Sequence, residues 1–356
     1  MKLFFVLIFV FYNKASACTA FLKSTPQRFV VAKNFDWDLG HGLLTVNKRN
    51  VQKIALVPPQ GTNQGLAQAP ESIAAPLLWT SKYGSITFNQ LGRELPYGGM
   101  NEKGLVIEIL WLAETEYPAQ IPEVMEANES QWIQSMLDRA QDVDEVTELA
   151  KGFQIRSRHG KVHYFVCDTT GSCATFEYLK GQIIVTRLNK KTDIKVLTNN
   201  SYEEGKKALK NYLPFGGAKK TPDDDSSLSR FVRAASLLKG SSGGTPLVES
   251  TFKILEGVRN PETTQWSIVY DPTLQKIYFR TKSQREIKEV SLNYFNWSCG
   301  AAVKVLDINA PYKQDVSSHF EDYSDRLNSS IVEKNSFLPR ESWKAIESAP
   351  THDRCI

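Results

Sequence analysis

The stretch Ala15-Ser16-Ala17-Cys18-Thr19-Ala20-Phe21 decides how the rest of this 356-residue chain is read. Ahead of it stand Met1-Lys2 and an apolar run from Leu3 to Phe11. That run is far short of the roughly 20 residues needed to cross a hydrocarbon layer, so no integral membrane protein is expected. A basic start, a short apolar core and a small-x-small site make residues 1–17 a secretory signal peptide, cleaved between Ala17 and Cys18. Cleavage turns Cys18 into an N-terminal cysteine, which carries a nucleophile and a base on one residue. Its thiol, with a pKa of about 8.5, sits beside an α-amine of about 7.7–8.0. At neutral pH part of the amine is unprotonated and can take the thiol proton directly or through water, so no histidine is required. Two competing readings are an uncleaved anchor and a lipoprotein signal, whose cysteine is acylated on both thiol and amine. The lipoprotein signal prefers a larger aliphatic residue where this chain has Ala15.

Composition narrows the partners. An apolar fraction of 41% and a charged fraction of 23% belong to a soluble globular protein and exclude wholesale disorder. Loss of Lys2 and Lys14 lowers the formal net charge from +4 to +2. Nucleic acid and anionic membranes need clustered cations, so a small molecule is the expected partner. Of the five cysteines, Cys18 is the odd one in an oxidising compartment. Cys167 and Cys173 flank the turn residues Asp168-Thr169-Thr170-Gly171-Ser172 between two β-rich runs and can face each other across a hairpin. Cys299 and Cys355 then pair by elimination. Four cysteines permit three connectivities, and free buried thiols are the alternative.

Strand patterns cover Phe21–Lys23, Phe29–Ala32, Leu43–Val46, Lys53–Val57, Leu105–Leu112, Val162–Thr186 and Gln265–Phe279. Helical spacing covers Gln131–Ala140, Val143–Lys151, Tyr202–Tyr212, Leu228–Lys239 and Leu247–Leu255, with Asp142 and Glu145 as a capping pattern and Gly152 as a stop. Blocks of strands alternating with blocks of helices predict an α+β layered fold. Gly98-Gly99 and Gly243-Gly244 read as turns, and residues 219–227 as a loop whose aspartates lead into a helix. His159 and His163 have HxxxH spacing, but on a strand they share no face and have no third ligand. No metal and no cofactor is expected. Asn-x-Ser triplets stand at Asn128, Asn199, Asn296 and Asn328.

Five motifs in order, Cys18-Thr19-Ala20-Phe21, Asn34-Phe35-Asp36-Trp37, Met100-Asn101-Glu102-Lys103-Gly104-Leu105, Leu197-Thr198-Asn199-Asn200 and Ser229-Arg230-Phe231-Val232-Arg233, resemble those of the choloylglycine hydrolase and penicillin V acylase family. The resemblance implies an N-terminal-nucleophile amide hydrolase with an αββα four-layer sandwich. It places the catalytic domain at residues 18–310, with residues 311–356 an extension of unknown role. It also implies an N-acyl amide substrate such as a penicillin, a conjugated bile salt or an N-acyl homoserine lactone, and a homo-oligomer, tetramers being common in the family. Motif by motif, Cys18 resembles the nucleophile, Asp36 the carboxylate that positions its amine, Asn199 the side-chain donor of the oxyanion hole and Arg230 the organising cation. Arg230 would open a helix whose Phe231, Ala235 and Leu238 are buried. Two positions depart from the family. Lys33 replaces an arginine three residues before the aspartate, giving a point charge that lowers the thiol pKa or, if neutral, a second base. Trp111 stands where the family has Asn or Tyr offering a backbone N–H to the oxyanion, and with Trp37 and Phe21 it suggests an apolar acyl pocket. A catalytically silent relative or a lipoprotein that binds an acyl ligand is the alternative function.

Overall fold

Strand β1 (Thr19–Ser24) is buried from Thr19 to Lys23, and its side chains alternate between two different partners. Thr19 and Lys23 reach side chains of two helices, Arg230 and Ser250, whereas Cys18, Ala20 and Leu22 face the other way. A strand covered on both sides needs a layer on each, and the computed structural model has four. It describes residues 18–56, 75–156, 160–241, 245–335 and 355–356; residues 1–17, expected to be a signal peptide, and His159, Val57 and Gly243-Gly244 lie outside these.

In chain order the strands are β1, β2 (Phe29–Asp36), β3 (Leu43–Asn47), β4 (Gln52–Ile54), β5 (Leu78–Thr80), β6 (Ser85–Asn89), β7 (Pro96–Asn101), β8 (Val106–Trp111), β9 (Glu126–Ala127) and β10 (Gln154–Ile155). They continue with β11 (Val162–Cys167), β12 (Cys173–Leu179), β13 (Gln182–Arg187), β14 (Val196–Leu197), β15 (Thr264–Asp271), β16 (Lys276–Thr281), β17 (Lys288–Ser291), β18 (Lys304–Asp307), β19 (Gln314–Asp315) and β20 (Glu321–Asp322). The helices are α1 (Glu129–Arg139), α2 (Val143–Lys151), α3 (Tyr202–Leu209), α4 (Ser227–Gly240), α5 (Leu247–Gly257) and α6 (Asp325–Asn335). One sheet runs β14-β1-β2-β15-β16-β17-β19 and the other β13-β12-β11-β8-β7-β6-β3-β18-β20. Helices α4 and α5 cover the first sheet and α1 covers the second, which is the αββα order expected.

Between the sheets lies an aromatic core in which Phe35 stacks on Trp266 at 4.4 Å and Phe88 meets Tyr270 and Phe279 edge-on. Beneath α1 a second core stacks Trp132 on Tyr164 at 4.0 Å. Asn128 and Asp142 cap α1 and α2, so the first Asn-x-Ser triplet is spent on a buried cap. Both expected disulfides, Cys167–Cys173 and Cys299–Cys355, are present, and Cys18 is the free cysteine. Among the described residues, 311–335 add strands to the edges of the two sheets and a helix against them. Strand β19 pairs with β17, β20 pairs with β18, and Asn335 of α6 donates to the carbonyls of His41 and Gln90.

Three expectations need correction. Helix α3 stops at Leu209 and the chain turns there, so the helical spacing to Tyr212 overran. Strands β6 and β7 had escaped notice. Gly98-Gly99 is not a turn but the middle of β7. A Cβ on Gly98 would sit 2.2 Å from Glu108 Oε2, and one on Gly99 would sit 2.5 Å from the Ile86 carbonyl, so both glycines allow a close approach inside the sandwich.

That approach makes room for a buried ion pair. Lys33 of β2 meets Glu108 of β8 at 2.6 Å, with each side chain 1% exposed. Lys33 also donates to the Tyr97 carbonyl at 3.0 Å, and the Tyr270 hydroxyl donates to Glu108 at 2.5 Å. Lys33 Nζ is thereby held between the sheets by two oxygen acceptors. Burial pushes the Glu108 carboxyl up and the Lys33 charge draws it back. Losing one member strands the other's charge, so Lys33→Met is expected to cost about 3–5 kcal/mol in urea unfolding, with most of that recovered in Lys33→Met/Glu108→Gln. A double variant as unstable as the single one would show that the pair does not bridge the sheets.

Candidate active site

Cys18, buried directly ahead of β1, lines a cleft with Phe35, Asp36, Trp37, Tyr97, Leu110 and Trp111, and Ile109, Glu129, Ser130, Gly160 and Val162 complete it. The register Thr19↔Asn34 brings the end of β2 alongside, so Asp36 and Cys18 meet where two adjacent antiparallel strands end. The Cys18 thiol lies 3.9 Å from the Asp36 carbonyl. Burial pushes this thiol up to about 11, with the Lys33 charge the largest force in the other direction.

Arg230 enters from the first turn of α4 and is fully buried. Its Nη1 donates to the Cys18 carbonyl at 2.8 Å and to Thr19 Oγ1 at 2.7 Å, Nη2 to Asn199 Oδ1 at 3.3 Å and Nε to the Asp225 carbonyl at 3.2 Å. The same Nη1 stands 3.8 Å from Asp36 Oδ2. The Asp36 carboxylate takes a short hydrogen bond from the Thr264 hydroxyl on Oδ1, whereas Oδ2 is buried and accepts none among the described residues. Burial raises its pKa to about 6 against the pull of Arg230, the Thr264 hydrogen bond and Lys33.

Asn199 follows β14, which pairs with β1 through Ala20↔Leu197; continuing that register sets Asn199 opposite Cys18. Guanidinium has only donors, so Arg230 fixes the Asn199 amide with Oδ1 towards itself and Nδ2 turned the other way. Trp111 is the last residue of β8. Leu112 donates to the Lys161 carbonyl at 2.9 Å, so the adjacent Trp111↔Val162 pair is not hydrogen-bonded and the Trp111 N–H points away from β11. On that side the pairing with β7 ends at Gly98↔Glu108. Trp37 and Trp111 both line the cleft, as expected.

Phe21 does not. It alternates with Cys18 along β1 and faces the α4–α5 layer with Thr19 and Lys23, so the period of two that makes it conspicuous in the motif also turns it from the cleft. The stripe Phe231, Ala235, Leu238 is buried except for half-buried Leu238, and Asp224 accepts from Ser226 and Ser229 ahead of α4 as the acidic loop suggested. Tyr97, Glu129, Ser130 and Gly160 were missed, because they arrive from β7, α1 and the start of β11 with no local pattern. His163 lies between Glu177 and the Thr198 carbonyl, and among the described residues no group of three or more His, Cys, Asp or Glu is placed to hold a metal. No helix among them is long and apolar enough to cross a membrane.

A family model described as linear amide C–N hydrolases, choloylglycine hydrolase family, matches residues 18–305. Penicillin V acylase of Pectobacterium atrosepticum is 25% identical over 292 residues, spanning 69% of this chain and 77% of that protein. Two solved structures share the fold. Penicillin V acylase from Agrobacterium tumefaciens superposes with a TM-score of 0.70 at 22% identity, covering 86% of this chain and 98% of its own. A variant of the conjugated bile acid hydrolase from Clostridium perfringens has a TM-score of 0.64 at 21% identity, covering 82% and 97%. With its model match beginning at the very cysteine around which the cleft is built, this chain belongs to the choloylglycine hydrolase family of linear amide C–N hydrolases.

Proposed function

We propose that the mature chain begins at Cys18, acts outside the cytoplasm, and hydrolyses the amide of an N-acyl small molecule with the Cys18 thiol as nucleophile and the α-amine as base. The observation that carries this reading is the buried Asp36 Oδ2, which accepts no hydrogen bond among the described residues although it lies 3.8 Å from the arginine that grips the Cys18 carbonyl. It is the acceptor a freed α-amine needs. Two disulfides favour an oxidising compartment and so support removal of residues 1–17 in export.

In the uncleaved chain Cys18 has a backbone amide in place of an amine and a thiol pushed up to about 11, which leaves roughly one thiolate in 10⁴ at pH 7. A base is therefore needed, and cutting the Ala17–Cys18 bond creates it. The amine takes the thiol proton and Sγ attacks the acyl carbonyl. Asn199 Nδ2–H and the Trp111 N–H meet the oxyanion. The ammonium returns its proton to the leaving nitrogen as the C–N bond breaks, leaving a thioester. Water, deprotonated by the same amine, opens the thioester, the carboxylic acid departs and the thiol is restored. Asp36 orients the amine, and Arg230 holds Cys18, Asn199 and Asp36 in one arrangement. The walls formed by Phe35, Trp37, Tyr97, Leu110 and Trp111 suit an apolar or aromatic acyl group, so penicillin V, a phenoxyacetyl amide, is the first substrate to assay.

Cys18→Ala is expected to abolish turnover of the mature protein and Cys18→Ser to leave less than about one part in 10² of kcat. Persistent hydrolysis in Cys18→Ala would move the nucleophile elsewhere. Asp36→Asn should lower kcat by about 10²-fold while KM moves little; an equal rise in KM alone would make Asp36 a binding residue. In protein still carrying residues 1–17, iodoacetamide should alkylate Cys18 slowly at pH 8. The rate should climb about tenfold per pH unit towards 11, because the raised pKa withholds thiolate until then. A rate that levels off near pH 8.5 would contradict it.

A further inference from the structure

His163 lies on β11 with no exposed surface, on the face turned to the inter-sheet core. Its two ring nitrogens meet two acceptors. Nε2 is 2.8 Å from the Thr198 carbonyl and Nδ1 is 3.1 Å from Glu177 Oε1. A backbone carbonyl has no proton to give, so Nε2 donates one to it, and Nδ1 is left facing the Glu177 carboxyl. Glu177, itself 2% exposed, also accepts the N–H of Tyr202, the first residue of α3, at 2.9 Å. Neither His163 nor Glu177 lines the cleft. What they hold are the two ends of the short segment that contains Asn199.

That segment is anchored at every point the structure records. The Thr198 hydroxyl accepts from Ser227 at 3.1 Å, the Thr198 carbonyl accepts from His163, Asn199 Oδ1 accepts from Arg230, and the Tyr202 N–H goes to Glu177. The carbonyl of Thr198 and the N–H of Asn199 belong to one rigid peptide plane. A donor that fixes that oxygen therefore fixes the plane on which the Asn199 Cα is mounted. Arg230 sets which way the amide faces, whereas the plane that carries the Asn199 Cα is set by what holds the Thr198 carbonyl. An apolar pair would fill the same space at lower desolvation cost, so the buried polar pair calls for a role of its own.

We propose that His163, oriented by Glu177, is a positioning residue that aims the Asn199 side-chain donor at the reacting carbonyl. This rests on the reading of Asn199 as an oxyanion donor, and the test separates the two. Mature parent, Asn199→Ala, His163→Phe and the double variant are compared on whichever of penicillin V, glycocholate and N-acyl homoserine lactone the parent hydrolyses fastest. Asn199→Ala should lower kcat by about 10²-fold. His163→Phe should lower kcat at least about tenfold with KM within about threefold, and should add less than about twofold in the Asn199→Ala background, since it acts through that side chain. The Tyr202 N–H and His163 Nδ1 both meet Glu177 Oε1, so Glu177→Gln keeps an oxygen at that point for both and should hold kcat within about threefold. If His163→Phe does not fold, Glu177→Ala breaks the same clamp from its other end and should show the same disappearance in the Asn199→Ala background. An Asn199→Ala that keeps its rate overturns the oxyanion reading. A slow Asn199→Ala beside an unimpaired His163→Phe, or a loss of equal size in both backgrounds, overturns the role of His163 alone.

Discussion

A fully buried guanidinium must have its charge and its donors answered from inside the protein, and around Arg230 the whole site is arranged to do so. Its hydrogen bonds reach Cys18 and the start of β1, the segment after β14 and the loop before α4, and the Asp36 carboxylate supplies the opposing charge. Three pieces of chain distant in sequence are thereby fixed to one planar fork, which a lysine could not do. The order of the sheet makes this possible: β14, β1 and β2 are neighbours, so their ends converge at one edge beneath α4.

The electrostatics of the cleft have a cost. Burial holds Asp36 at about 6 in the fold against 3.8 for an ordinary aspartate, so the folded state binds that proton more tightly than the unfolded chain does. Ionised Asp36 therefore costs about 3 kcal/mol of stability at pH 7, and the cost fades as pH falls through 6 towards 3.8. The second buried pair, Lys33 with Glu108, bridges the two sheets, and the Lys33 charge is close enough to weigh on the Cys18 thiol. An active site that keeps its charges buried and under-neutralised is what a stability-for-function exchange looks like.

How far the sequence revealed this depended on whether a property was local. The Cys18 motif, Asp36, Asn199 and Arg230 were legible because each sits in a short run, and the fold brings all four to one place. The hairpin disulfide followed from turn residues between two strands, and Cys299–Cys355 by counting. Lys33 stood out in its motif while its partner did not. Glu108 lies inside an apolar strand, and only the stacking of two sheets shows that they meet. Gly98-Gly99 misled for the same reason, because the neighbour that requires glycine is far along the chain. Phe21 shows the converse error, in which closeness in sequence to Cys18 was taken for closeness in the cleft although strand alternation separates them.

The central claim is that one residue, Cys18, supplies both nucleophile and base once the segment before it is gone. The most direct test is tandem mass spectrometry of the active protein quenched in acid during turnover of a slow amide substrate. The account predicts a chain that starts at Cys18 with an unmodified α-amine and carries the acyl mass as a thioester on that same residue. An active protein that retains residues before Cys18, or an acyl group found on any other side chain, would contradict it.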